Sequence, residues 1–226
     1  MKRICITRNL SQTEVLHCYK HGINVEAIPL IQTHLNTNVS IKSQTYDAII
    51  ITSRMALKWL ELHVDEIDKS IPFFCLTAKQ KAYLNTLGFE AKHPEISSAE
   101  ALRKFIKTTK LGNSLLFLGG NRSIFPGGSM KTEVLEVYRT ELTPMAINLS
   151  TYKAIVFFSP SAATSFFTIH RKIPKELVFF AFGSQTANAL KKQVVGNVFV
   201  SEKQDRTYFL NFIIHTLNTA NNALSI

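Results

Sequence analysis

The sequence predicts an α/β protein with parallel sheets, and two observations predict it. Short continuous apolar runs alternate with helix patterns that open on hydroxyl residues, as expected of strands covered on both faces and crossed over by helices. The chain also matches itself at an offset of 106 residues, where "DAIIITSRMALKWL" (47–60) falls on "KAIVFFSPSAATSF" (153–166) without a gap. The same offset lays "IPFFCLTAKQKAYL" (71–84) on "LVFFAFGSQTANAL" (177–190). Ala48, Ile49, Ser53 and Ala56 meet Ala154, Ile155, Ser159 and Ala162, and Phe73, Phe74 and Leu84 meet Phe179, Phe180 and Leu190. One offset serving two blocks implies two copies of one strand–helix unit.

The elements follow in order. A strand over 3–7 leads to a helix over 11–21, opened by a capping box of Ser11 with Glu14 and closed near Gly22. A strand over 24–30 comes next. The first copy of the repeat gives strand 47–52, helix 54–63 behind Ser53, strand 72–76 and helix 79–87, ending at Gly88. Then come strand 90–93, helix 98–109 behind a second box of Ser97 with Glu100, and strands 114–118 and 133–141. The second copy gives strand 153–158, helix 161–170 starting at Ser161, strand 177–182, helix 186–193 and a turn at Gly196. Strand 197–201 and helix 206–218 complete the series.

At 226 residues the chain fits one large domain or two small ones, and with 46% hydrophobic residues it can bury a core. No apolar run approaches the roughly 20 residues that span a bilayer, and "MKRICITRNL" lacks the apolar stretch of a signal peptide. Cys5, Cys18 and Cys75 form no CxxC and leave one over, which reads as buried free thiols in a reducing cytoplasm. The net charge of +10 favours a polyanionic partner. The basic residues are scattered, and no nucleic-acid-binding motif accompanies them.

Ligands of parallel α/β sheets gather at the carboxyl ends of the strands. The residues expected there are Thr7 and Arg8; Thr52, Ser53 and Arg54; Thr77; Gly119 to Arg122; Ser159 and Ser161; Gly183, Ser184 and Thr186. Nearly all are hydroxyls, glycines or arginines. Each Ser or Thr can be read as a helix cap alone. As a set, the acid-poor strand ends point to an anionic ligand held by helix N-termini. "GGNRSIFPGG" (119–128) is neither dinucleotide fingerprint nor phosphate loop and reads as a turn. His17, Cys18 and His21 share a helix face, but no second cluster completes a metal site. No GxSxG elbow exists. The expectation is a cleft without acid–base pair, metal or organic cofactor, suited to a reactive substrate whose shape the protein controls.

These pieces resemble the uroporphyrinogen-III synthase family over nearly the full length: "ICITR" (4–8), "DAIIITS" (47–53), "LLFLGGNR" (115–122), "EVLEVYRTEL" (133–142), "AIVFFSPSAATSFF" (154–167) and "FFAFGSQTANAL" (179–190). The resemblance implies two similar flavodoxin-like domains. The first would be discontinuous, 1–29 with 143–226; the second would span 36–132; connecting strands would lie at 30–35 and 133–142. The implied reaction closes hydroxymethylbilane, a linear octacarboxylate tetrapyrrole, to uroporphyrinogen III, with inversion of the last ring and loss of water. By the same resemblance Tyr138 is the candidate catalytic residue. Arg8, Ser53, Ser159, Ser161, Gly183, Ser184 and Thr186 are the substrate-binding candidates. The stretch after Arg122 is short for the family's usual helix, so Arg122 is not carried over as a site residue. "CLTAKQK" has Thr77 and Gln80 where the later copy has Gly183 and Thr186, with Lys79 a possible substitute there. The implied protein is a cytoplasmic monomer acting on a polycarboxylate, without nucleic acid, membrane, metal or cofactor. A non-catalytic binding protein for an acidic small molecule is the competing reading.

Overall fold

The structure, a computed structural model, describes residues 1–41, 46–109, 114–123, 131–194 and 196–219. Its contacts divide the chain into two units, Met1–Gln32 with Glu141–Ile226, and Thr33–Thr140.

The discontinuous unit holds a five-stranded parallel sheet. Strands β1 (Lys2–Ile6), β2 (Ile23–Ala27), β9 (Ala154–Phe157), β10 (Val178–Ala181) and β11 (Val198–Val200) lie in the order β2-β1-β9-β10-β11. Every neighbouring pair runs parallel, with Ile6 opposite Ala27 and Val156, and Ala181 opposite Phe157 and Val200. Counted within the unit this is 2-1-3-4-5, an order of doubly wound sheets that place ligands at the carboxyl strand ends. Helices α5 (Pro160–Ile169) and α6 (Ser184–Lys191) bury one face, with Ile155, Phe157, Phe166, Phe179 and Leu190 in the core. Helices α1 (Gln12–Lys20) and α7 (Arg206–Thr219) bury the other over Ile4, Ile6, Val156, Phe180 and Phe209. Coverage on both faces is why these strands read as unbroken apolar runs.

The second sheet contains β4 (Ala48–Ile51), β5 (Phe73–Cys75), β6 (Ala91–Lys92) and β7 (Leu115–Gly120) of the other unit, with β3 (Ile31–Leu35) and β8 (Thr132–Leu142), whose first two and last two residues respectively belong to the discontinuous unit. They lie in the order β3-β8-β7-β4-β5-β6. From β8 to β6 the strands are parallel and repeat the arrangement of the first sheet, with β4 and β5 in the places of β9 and β10. Helices α2 (Arg54–Leu62) and α3 (Ala78–Thr86) cover one face and α4 (Ala99–Thr108) the other. At the edge β3 lies beside β8, where the Asn36 amide N–H donates to the Val137 carbonyl at 2.9 Å and the Thr33 and Thr140 hydroxyls meet at 3.3 Å.

Several expectations shift. The strand over 24–30 ends at Ala27 and resumes at Ile31 as β3, because Pro29 has no N–H for a ladder. The cap of α4 is Ser98, whose hydroxyl accepts from the Ala101 amide at 3.1 Å. Ser97 therefore forms no box with Glu100, which instead pairs with Lys104 one turn on. Helix α5 starts at Pro160 behind Ser159, so Ser161 lies inside its first turn; Pro suits that first position because no N–H is needed there. Helix α6 starts at Ser184, two residues before the expected start. Strand β7 continues to Gly120. Gly22 (φ 79°) and Gly88 (φ 86°) reverse the chain after α1 and α3 in the left-handed region. Half of "GGNRSIFPGG", residues 124–128, lies outside the described residues; Asn121 and Arg122 form a turn.

Candidate functional site

The carboxyl strand ends of the discontinuous unit gather six of the candidates. Thr7, after β1, is 2% exposed, and its hydroxyl donates to the Val156 carbonyl at 2.9 Å, a structural duty. Arg8 follows. Its guanidinium donates to the Glu14 carboxylate and, at 3.0 Å, to the Asn9 carbonyl, while its face lies 4.3 Å from the centre of the Phe158 ring. The Arg8 Nε is buried with no partner among the described residues. Glu14 is the third residue of α1 and receives the Ser11 amide at 2.8 Å, completing the expected capping box. Partial burial pushes the Glu14 carboxyl up, but the Ser11 amide and the Arg8 guanidinium outweigh it and hold the group below the usual carboxylate range. Arg8 is thus a fixed charge already paired, and a substrate carboxylate reaching it must share it with Glu14.

Ser159 caps α5, its hydroxyl accepting from the Ala162 amide at 3.2 Å. Ser161, half-buried, is the second residue of that helix. Gly183 is the cap residue of α6, with φ −167° and ψ 173°, extended backbone open to any residue. It supplies no side-chain hydrogen bond, so the first amides of α6 lack a capping oxygen. Ser184 is exposed in the first turn. Thr186, also in that turn, is only 4% exposed, and its hydroxyl has no partner among the described residues. Sequence reasoning missed Gln204, in the loop after β11. A Cβ at Gly183 would stand 2.8 Å from its Nε2, so a flexible exposed amide lies over the α6 N-terminus.

In the other unit Ser53 caps α2, accepting from the Met55 amide at 3.1 Å. Helix α3 closes its own N-terminus. The Thr77 hydroxyl accepts from the Gln80 amide at 3.1 Å, and the Gln80 carboxamide oxygen accepts from Thr77 at 3.2 Å and Leu76 at 2.9 Å. Gln80 also donates to the Thr52 carbonyl at 3.1 Å. Tyr138, on β8, lies opposite Gly120 with its ring over that glycine, where a Cβ would come within 2.3 Å of the ring. This contact requires glycine at 120. The half-buried phenol stands 3.0 Å from Ser123 Oγ, which accepts from the Gly120 amide at 2.8 Å. Ser123 is a second residue that sequence reasoning missed, because only the turn after β7 brings it back to the strand end. Asn121 is pinned to β8 by two bonds with the Thr140 backbone, at 2.9 and 3.3 Å.

The three cysteines are buried free thiols. Burial pushes the thiol of Cys5 up to about 12 and those of Cys18 and Cys75 up to about 11. Among the described residues no three His, Cys, Asp or Glu gather as a metal site. His17 instead meets the Asn211 side chain at 2.7 Å, tying α1 to α7. No described helix is long and apolar enough to cross a membrane.

A family model described as uroporphyrinogen-III synthase HemD matches residues 13–207. Solved structures share the fold. A uroporphyrinogen-III synthetase from Helicobacter pylori is 15% identical with a TM-score of 0.64, covering 96% of this chain and 100% of the other. A mutant uroporphyrinogen III synthase from the extremely thermophilic bacterium Thermus thermophilus is 14% identical with a TM-score of 0.72, covering 97% of this chain and 100% of the other. The wild-type protein of that bacterium, in another crystal form, gives 16% identity and a TM-score of 0.55, covering 97% and 99%. No curated protein matches this chain.

Proposed function

This chain belongs to the uroporphyrinogen-III synthase family, and we propose that it carries out the family's reaction with the hydroxyl- and amide-lined strand ends of its two units. It is a cyclising lyase of tetrapyrrole biosynthesis, closing hydroxymethylbilane to uroporphyrinogen III. The family match over residues 13–207 carries this assignment and does not favour a non-catalytic binding protein.

The proposal assigns residues 1–29 and 143–226 to one flavodoxin-like domain, 36–132 to the other, and 30–35 and 133–142 to the connecting strands. Support comes from the 2-1-3-4-5 strand order of the first sheet, the five parallel strands β8-β7-β4-β5-β6 of the second, and the change of unit at Gln32/Thr33 and Thr140/Glu141. The uncapped amides of α6 hold a substrate carboxylate, with the Thr186 hydroxyl as a further donor. With the flexible Gln204 amide moved aside, Gly183 leaves room for the carboxylate, and Ser184 lies beside it. In the same unit Ser159 and Ser161 offer hydroxyls to the substrate, and in the other unit Ser53 does; a capping serine uses an oxygen lone pair on the helix and keeps its O–H to donate. Arg8 contributes fixed positive charge. The Tyr138 phenol donates a hydrogen bond to the departing hydroxyl as water is lost, and Ser123 fixes its direction. The protein acts as a cytoplasmic monomer, without metal or organic cofactor.

The bilane closes unaided to the uninverted type I isomer, as its chemistry leads one to expect, so the product isomer is the test. Purified protein incubated with hydroxymethylbilane should give type III. Type I alone, at the rate without protein, would contradict the proposal.

A further inference from the structure

A row of side chains at the carboxyl edge of the first sheet continues one face of that sheet. Ile6, Val156, Phe180 and Phe199 are register partners on the face covered by α1 and α7. Two residues further along each strand, on the same face by the period of a strand, come Arg8, Phe158, Phe182 and Ser201. The register holds to this point, since Phe182 N–H donates to the Phe157 carbonyl at 2.9 Å and Ser201 N–H to the Ala181 carbonyl at 3.0 Å. Phe158 and Phe182 stack with centroids 5.0 Å apart and planes 27° from parallel, and the Arg8 guanidinium lies 4.3 Å from the Phe158 centre. Phe209 of α7 meets both rings edge-on, at 5.2 and 5.4 Å. Both phenylalanines are half-buried, as is Phe199 at the sheet edge one row below, whereas Ile6, Val156 and Phe180 of that row are fully buried. Phe182 is also the residue before Gly183, the cap residue of α6, so the stack is one residue along the chain from that helix, which packs on the other face of the sheet.

We infer that Phe158 and Phe182 form a floor for one pyrrole ring of the substrate, with the ring's acetate or propionate arm reaching the α6 amides. The inference rests on the proposed function. A pyrrole with carboxylate arms is a flat electron-rich ring carrying anions. It matches an aromatic pair with a guanidinium over one ring and, next in the chain after the other, the residue that opens α6. Holding one ring flat would set the orientation of the chain end, which decides whether closure proceeds with inversion. Phe158 and Phe182 are positioning residues; they exchange no proton.

The test compares Phe158→Leu and Phe182→Leu with Phe199→Leu, which disturbs the same face one row deeper. Loss of an aromatic pair should raise KM about two- to tenfold, the equivalent of ~0.5–1.5 kcal/mol. It should also raise the type I fraction in the first two variants and not in the third. A second readout uses a monopyrrole bearing one acetate and one propionate, titrated while its ring-proton resonance is followed. Wild type and Phe199→Leu should shift that resonance upfield; the other two should not. If wild type makes type III and all three variants keep its KM, isomer ratio and resonance shift, the stack is packing and the inference fails. If wild type makes no type III, the synthase reading fails by itself. The resonance shift then decides the floor: loss of it in the two variants upholds an aromatic carboxylate-ring site, and its absence in wild type overturns it.

Discussion

Helices α3 and α6 occupy equivalent places in the two copies of the repeat, and they treat their N-termini oppositely. Thr77 and Gln80 satisfy the amides of α3 from within. At the equivalent positions α6 has Gly183, which offers no side chain, and Thr186, whose hydroxyl has no partner among the described residues. Both helices follow parallel strands and both should attract anions through their dipoles. One directs that attraction to its own side chains; the other, in the proposal above, keeps it for a ligand.

If the second unit closes its α3 terminus, its contribution to the chemistry falls to the Tyr138–Ser123 pair at the end of β7. Tyr138→Phe should therefore give a large loss, about ten- to a hundredfold in kcat, because one hydrogen bond to a charged or developing group is worth ~1.5–3 kcal/mol. Melting should barely change, since the ring over Gly120 remains. Steady-state kinetics with the bilane check this; unaltered kcat would reduce Tyr138 to packing.

On the open side, Thr186→Ala removes one donor and should raise KM about two- to tenfold with a detectable rise in type I product, the cost of one neutral hydrogen bond being ~0.5–1.5 kcal/mol. On the closed side the signs reverse. Thr77→Ala should destabilise the fold by ~1 kcal/mol, as lost caps do, and leave KM and isomer ratio unchanged. A changed isomer ratio in Thr77→Ala would break the comparison, because it would mean that both termini bind.

The smallest effect concerns Arg8. Glu14 has its pKa depressed in the folded state, so its stabilising contribution is present above the unfolded value of about 4.3 and is lost as pH falls through the lower folded value. Acid unfolding followed by circular dichroism should show that loss in wild type and a flatter profile in Glu14→Gln over the same acidic range.

The fold was largely legible in the sequence, because strands covered on both faces leave unbroken apolar runs and hydroxyl caps mark helix starts. Pro29 was visible but its effect was not drawn, and Ser97 and Ser98 could not be ranked, since adjacent hydroxyls differ only in where the backbone turns. The site was legible as a class and less so in detail. The glycine and threonine of α6 stood out against Thr77 and Gln80. That Arg8 is held by Glu14 depends on α1 folding back beside β1. Ser123, Gln204 and the Phe158–Phe182 stack depend on register and loop return, which spacing alone does not encode.

The central claim is that α6 leaves its N-terminus open for substrate, and Gly183→Thr tests it most directly by giving α6 the cap that α3 has. The extended backbone at Gly183 accepts threonine, and the obstructing Gln204 amide is the end of a flexible side chain. Stability should change by no more than about a few tenths of a kcal/mol, as for glycine and threonine at a cap. The product isomer ratio should nevertheless move strongly toward type I, with a raised KM, because the new hydroxyl and methyl take the place of the carboxylate. A folded Gly183→Thr protein that still gives only type III with wild-type KM would contradict the account.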